Sequence, residues 1–266
     1  MIHIIIPYLY IDPIALEVGA LKIRWYGLAY MAGISLGWLY CRHLIKQGYF
    51  QFPVKMADDF IIWATLGIVI GGRLGQVFFY SFSYYLDHPL EILMLWHPGM
   101  SFHGGLIGVS LATFLYCRKN HLKMSSFSDL IACGVPFGLF FGRIANYINA
   151  ELVGRVTDLP WATIFPGTDG LPRHPSQLYE AALEGIIIFI VLRSLTLKNM
   201  TKNYSGVIIG VFLFLYGIFR FLVEFVREPD ADLGYFFSFL TLGQLLSLPL
   251  ILFGAFYAYR RFKAKN

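Results

Sequence analysis

Apolar residues fall into seven long runs along this chain, separated by polar or basic segments. A helix that crosses a bilayer takes roughly 20 mostly apolar residues. By that measure the runs predict spans at residues 26–45, 58–80, 102–117, 127–148, 177–195, 205–225 and 242–259. The third is short, so residues ahead of His103 are expected to dip into the membrane interface. The expected fold is an all-α polytopic integral membrane protein of about seven transmembrane helices, forming one domain over residues 1–266.

Two connectors stand out. Residues 81–101 are rich in Tyr, Phe, Trp and Leu and read as an amphipathic segment lying on the membrane surface. Residues 149–176 carry Pro160, Trp161, Pro166, Pro172 and Pro175 among glycines, the chemistry of an ordered, turn-rich loop. No internal repeat is evident, which weakens a transporter built from inverted halves.

Composition supports the membrane reading. Hydrophobic residues make up 57% of the chain and charged residues only 14%, where a soluble domain carries about a quarter charged. The net charge of +5 is spread over connectors rather than gathered in a basic tract, so no nucleic-acid partner is expected. Of the 21 Lys and Arg, 13 lie on one side of the predicted spans and 5 on the other. The basic side is cytoplasmic, which puts the N-terminus outside and the C-terminus inside. Residues 1–17 include Pro7, Asp12 and Pro13 and no basic leader, so the first span is expected to serve as its own targeting signal. Cys41, Cys117 and Cys133 have neither CxxC nor metal-ligand spacing and read as packing residues. No metal site or cofactor is expected.

The remaining three basic residues, Arg73, Arg143 and Arg220, fall inside predicted spans. Each lies roughly 22 Å from the cytoplasmic end of its helix at 1.5 Å per residue, in the outer half of a core about 30 Å thick. Tyr26 and His103 open descending spans and belong at the same level. Charges within a membrane face a bundle interior or a wet cavity and mark function. Arg143, Asn146 and Tyr147 share one helical face. Arg220, Glu224 and Tyr216 share another, where an Arg220–Glu224 pair is the plain structural reading. With few acids in view, the arginines point to an anionic ligand. Guanidinium suits the phosphate of a phospholipid headgroup. The glycines around Arg73 and in the segment after His103 read as helix-packing positions. The competing reading is a transporter or binding protein for an anionic lipid.

Residues 142–154, GRIANYINAELVG, closely resemble the signature of bacterial prolipoprotein diacylglyceryl transferases. HGGLIG at 103–108, RHPSQLYE at 173–180, YGIFRFLVEFVREPD at 216–230 and GQLLSLP at 243–249 resemble further motifs of that family. Ala145 and Ala150 stand where the family usually has Gly, and Tyr147 where it has Phe. The resemblance implies an inner-membrane enzyme working on its periplasmic side. It would pass the diacylglyceryl group of phosphatidylglycerol to the lipobox cysteine of prolipoprotein signal peptides. A thioether forms and glycerol phosphate leaves. The family's critical residues map to Tyr26, His103, Arg143, Asn146, Glu151, Gly154, Arg220 and Glu224. On this reading His103, Arg143, Arg220 and Glu224 are catalytic, with His103 a possible base for the thiol. Arg143, Tyr26, Asn146, Glu151, Gly154, Arg73 and Tyr216 bind phosphatidylglycerol.

Overall fold

A computed structural model describes residues 6–8, 10–19, 21–94, 99–229, 235–236 and 240–264. Helices α1 (Trp25–Lys46), α2 (Val54–Phe79), α3 (Phe82–Asp87), α4 (Phe102–Lys119) and α5 (Met124–Ile148) come first. Next is a continuous helical stretch of α6 (Ser176–Glu180), a π-helical segment (Ala181–Ile187) and α7 (Ile188–Leu197). Then come α8 (Met200–Asn203), α9 (Val207–Val223) and α10 (Leu242–Lys263).

The chain is mostly helical, as expected. Among the described residues six short strands also pair two by two: β1 (Ile6–Pro7), β2 (Ile14–Val18), β3 (Leu21–Arg24), β4 (Thr163–Ile164), β5 (Tyr235–Phe236) and β6 (Leu240–Thr241). β1 runs parallel to β4, while β2–β3 and β5–β6 are antiparallel. β1, β2 and β3 precede α1 and the others lie in connectors, where extended backbone satisfies its polar groups by strand pairing.

Among the described residues, α2, α5 and α10 are long and apolar enough to cross a membrane, and α9 is a shorter apolar helix. The other ranges expected to span are also helical. This is a membrane protein.

The chain divides into two compact units, Ile45–Ser128 and Met1–Leu44 with Asp129–Asn266. In the first unit α2 packs on α4 through glycines. A Cβ added to Gly71 would meet the Gly104 carbonyl, and one on Gly75 would lie 2.7 Å from the Gly104 Cα. Only hydrogen at these positions lets the two backbones approach so closely. Phe60, Tyr116 and Phe127 fill the far end of the pair, and Tyr116 donates to the Met56 carbonyl at 2.9 Å. The connector between α2 and α4 holds α3 and a 3₁₀ turn (Pro89–Leu93). It exposes Phe82, Tyr84, Leu86, Leu90 and Leu93.

In the second unit α1 and α5 also meet through glycine, Gly33 against Gly138. Cys41 donates to the Leu130 carbonyl at 3.3 Å, and Cys133 Sγ lies 3.7 Å from Thr196 Oγ1. All three cysteines are free thiols. Fully buried Asp129 accepts from Gly206 N at 2.6 Å and Ile209 N at 2.8 Å. A carboxylate from α5 thus caps α9, satisfying donors that a helix start leaves without partners. α9 pairs with α10, which opens on a capping box between Thr241 and Gln244. The 149–176 loop is tied by backbone bonds, including Gly154 N to His174 O at 3.0 Å and Arg155 N to Val226 O at 2.8 Å. Arg173 fastens it further, to Asp169 at 2.8 Å and Glu228 at 3.1 Å. Hydrogen bonding from Arg173 holds the Asp169 carboxyl below its ordinary range. That fastening is present at neutral pH and weakens as pH falls through the lowered value.

Candidate active site

The site grows from the end of α5. The helix closes with Ala150 in the left-handed region, φ +54°, while Glu151 N returns to the Asn146 carbonyl at 2.9 Å. This turn folds the Glu151 side chain back along the helix. Asn146 Nδ2 donates to Glu151 Oε2 at 3.1 Å, and Asn149 Nδ2 donates to Oε1 at 3.2 Å. Gln177, from the start of α6, donates to the Glu151 carbonyl at 2.5 Å.

A side chain with a Cβ is strained at that φ, by roughly 1 kcal/mol or more. Ala150→Gly, which restores the residue usual in the resembled signature, is therefore expected to stabilise the protein. The unfolded glycine chain gives part of the gain back, leaving a net increase of about 1 kcal/mol. Thermal melting in detergent checks this; a lower melting temperature would contradict it.

One turn before Asn146, Arg143 meets two acids of the neighbouring helical stretch. Its Nη2 lies 2.6 Å from Glu180 Oε2 and 3.4 Å from Glu184 Oε2. Both carboxylates are completely buried. Arg220, on α9, pairs with Glu224 of the next turn and stands 3.6 Å from the same Glu180 Oε2. Glu224 also receives Arg227 Nη1 at 3.1 Å and the Thr241 hydroxyl at 2.6 Å. Tyr216, one turn before Arg220, stacks on Phe212 with ring centroids 6.0 Å apart and lies within electrostatic reach of Arg143.

The arrangement corrects one premise of the sequence reading. The Arg220–Glu224 pair is the one their spacing offers, but Arg143 has matching acids as well. They are Glu180, the last residue of RHPSQLYE, and Glu184: two acids four apart in a predicted span carry the same signal as an intramembrane arginine. The pairing still leaves the arginines able to act. Their side chains are 18% and 14% exposed. Among the described residues, the polar contacts of Arg143 run through Nη2 alone, so Nε and Nη1 remain for an incoming anion.

The other expected residues are placed differently. Arg73, read as a substrate contact, is buried at 3% exposure. Its guanidinium donates to the carbonyls of Glu91 (2.5 Å), Met94 (2.9 Å), Ile92 (3.0 Å) and Gly99 (3.2 Å), and lies over the Tyr85 ring. Carbonyls at a chain bend satisfy a cation as an anion would, and sequence gives no sign of that. Arg73 therefore organises the α2–α4 connector. Gly154 sits where the loop crosses two other segments: a Cβ there would fall 2.5 Å from the His174 carbonyl oxygen and 2.7 Å from that of Val226. Its lack of a side chain serves this crossing. Tyr26, at the start of α1, is exposed and shares its hydroxyl with Tyr30 at 3.3 Å. His103 is exposed on the first turn of α4. It belongs, with Arg73, to the Ile45–Ser128 unit, while the other expected residues belong to the second.

Residues 13–260 match the family model described as prolipoprotein diacylglyceryl transferase. The chain belongs to that family. Membership extends over nearly its whole length, and the relatives agree with it. A phosphatidylglycerol–prolipoprotein diacylglyceryl transferase of Paramagnetospirillum magneticum is 51% identical over 93% of this chain and 92% of its own. One from Rhodospirillum rubrum is 51% identical over 94% and 92%. One from Methylocella silvestris is 48% identical over 97% of each. Arg143, Glu180, Glu184, Arg220 and Glu224 all lie inside the matched segment.

Proposed function

We propose that this protein transfers the diacylglyceryl group of phosphatidylglycerol to the cysteine thiol of a prolipoprotein lipobox, and that Arg143 and Arg220 together receive the phosphodiester. The observation that carries this is the shared hold of Glu180 on both guanidiniums. One guanidinium at 2.6 Å and another at 3.6 Å from a single carboxylate oxygen stand side by side, a seat for phosphate oxygens. Sulfur attacks the glycerol carbon, an S–C bond forms, and the C–O bond to phosphorus breaks. Its electron pair stays on the leaving phosphate oxygen, where fixed cations stabilise it without rearranging. The thiol gives up its proton, since thiolate is the nucleophile, and His103 is the proposed acceptor. Asn146 and Glu151 hold the α5 end, Tyr26 and Tyr216 flank the headgroup, and Glu224 sets the Arg220 fork. No cofactor or metal is required.

On this reading the enzyme sits in the bacterial inner membrane with seven spans, the N-terminus and residues 149–176 periplasmic and the C-terminus cytoplasmic. The Lys and Arg distribution supports this orientation; reporter fusions that put the C-terminus in the periplasm would contradict it. The activity is tested with purified protein, phosphatidylglycerol and a lipobox peptide. A diacylglyceryl mass increase on the cysteine, lost when that cysteine is replaced by serine, is expected. Binding of phosphatidylglycerol with no modified peptide would instead favour a lipid-binding protein.

A further inference from the structure

The charges around Arg143 nearly cancel before any ligand arrives. Among the described residues, Arg143, Arg220 and Arg227 are linked to Glu180, Glu184 and Glu224. At the edge of the cluster, Arg155 donates to the Glu224 and Arg227 carbonyls and Glu151 rests on the two asparagines, adding one charge of each sign. Tyr216 faces the same groups from α9. A phosphodiester brings one more negative charge into this buried place. Glu180 and Glu184 sit one helical turn apart with no exposed surface, and each has an Oε1 that accepts no hydrogen bond among the described residues. Two such carboxylates beside a third anion cannot all stay ionised cheaply.

We propose that phosphodiester binding is coupled to uptake of one proton by the Glu180–Glu184 pair, which then acts as a switchable counter-charge to the two arginines. The proton cancels the added charge, so that Arg143 and Arg220 can serve the acids and the headgroup together. The coupling rests on the headgroup reading given above. Glu184, paired among the described residues with Arg143 at 3.4 Å, is a positioning residue in this scheme.

The test is calorimetric titration of phosphatidylglycerol into the detergent-solubilised full chain, in buffers of differing ionisation enthalpy. Uptake approaching one proton per lipid is expected, with affinity falling about tenfold per pH unit on the alkaline side. Diacylglycerol, which lacks the phosphate, should take up none. Glu184→Gln carries the neutral form permanently, so it should bind with little uptake and a flat pH profile. Phosphatidylglycerol binding to the wild-type protein without proton uptake overturns the coupling and leaves the headgroup reading intact. The same holds if Glu184→Gln keeps the wild-type slope. Failure of the wild-type protein to bind the lipid overturns both. The wild-type stoichiometry decides the matter even if the variant does not fold.

Discussion

Arg143→Lys is expected to lower kcat/KM by about 10²–10³-fold, the scale on which single donors to a developing oxyanion act. The charge is kept, so the loss measures geometry. Arginine can hold Glu180 with one edge of its fork, at 2.6 Å, and present the other to phosphate. Lysine is a point charge with no second edge in a fixed plane. It would settle on the buried Glu180 and Glu184 carboxylates and offer the headgroup little. Because the buried acids keep a cationic partner, the variant should insert and fold, avoiding the strong destabilisation that follows an uncompensated buried charge. Turnover per folded molecule, read beside a melting curve, checks this. Near-normal turnover would show that charge alone suffices.

The second large effect concerns His103. If it accepts the thiol proton, His103→Asn should reduce turnover by about 10²–10⁴-fold, the range for a positioned base. The residue is exposed at the opening turn of α4, and asparagine keeps a polar side chain there, so packing should survive. The sign of the pH dependence is the informative part. Thiolate forms unaided as pH approaches the ordinary thiol value of about 8.5, so the deficit should shrink as pH rises. A purely structural histidine predicts a similar loss at every pH, together with a lower melting temperature. The pH–rate profile of the variant with a lipobox peptide separates the two. A flat deficit removes His103 from proton transfer and leaves thiol activation to the arginines.

Much of the site was legible along the chain because it is local. The stretch from Gly142 to Gly154 places Arg143 and Asn146 on one helical face by spacing, and the turn at Ala150 brings Glu151 back to Asn146. What sequence could not show came from elsewhere in the chain. Glu184 reaches Arg143 across 41 residues, and nothing local to either residue signals the pair. Arg73 has the same depth signature as Arg143, yet its partners are backbone carbonyls, which any sequence supplies. Gly154 and Ala150 divide in a similar way. The motif marks both positions, but only the backbone shows that Gly154 is needed for a close crossing and that Ala150 occupies a left-handed turn. For the fold, the helical ranges followed from apolar runs, while the strands, of two to five residues, are too brief to show a two-residue period.

The central claim is that Arg143 and Arg220 form one phosphate seat, held together by Glu180. It is tested most directly by an experimental structure of the full chain with phosphatidylglycerol bound. The phosphorus is expected between the two guanidiniums, with phosphate oxygens on the edges of Arg143 and Arg220 that face away from Glu180 and Glu224. A headgroup seated elsewhere, with both arginines still closed on their carboxylates, would contradict it.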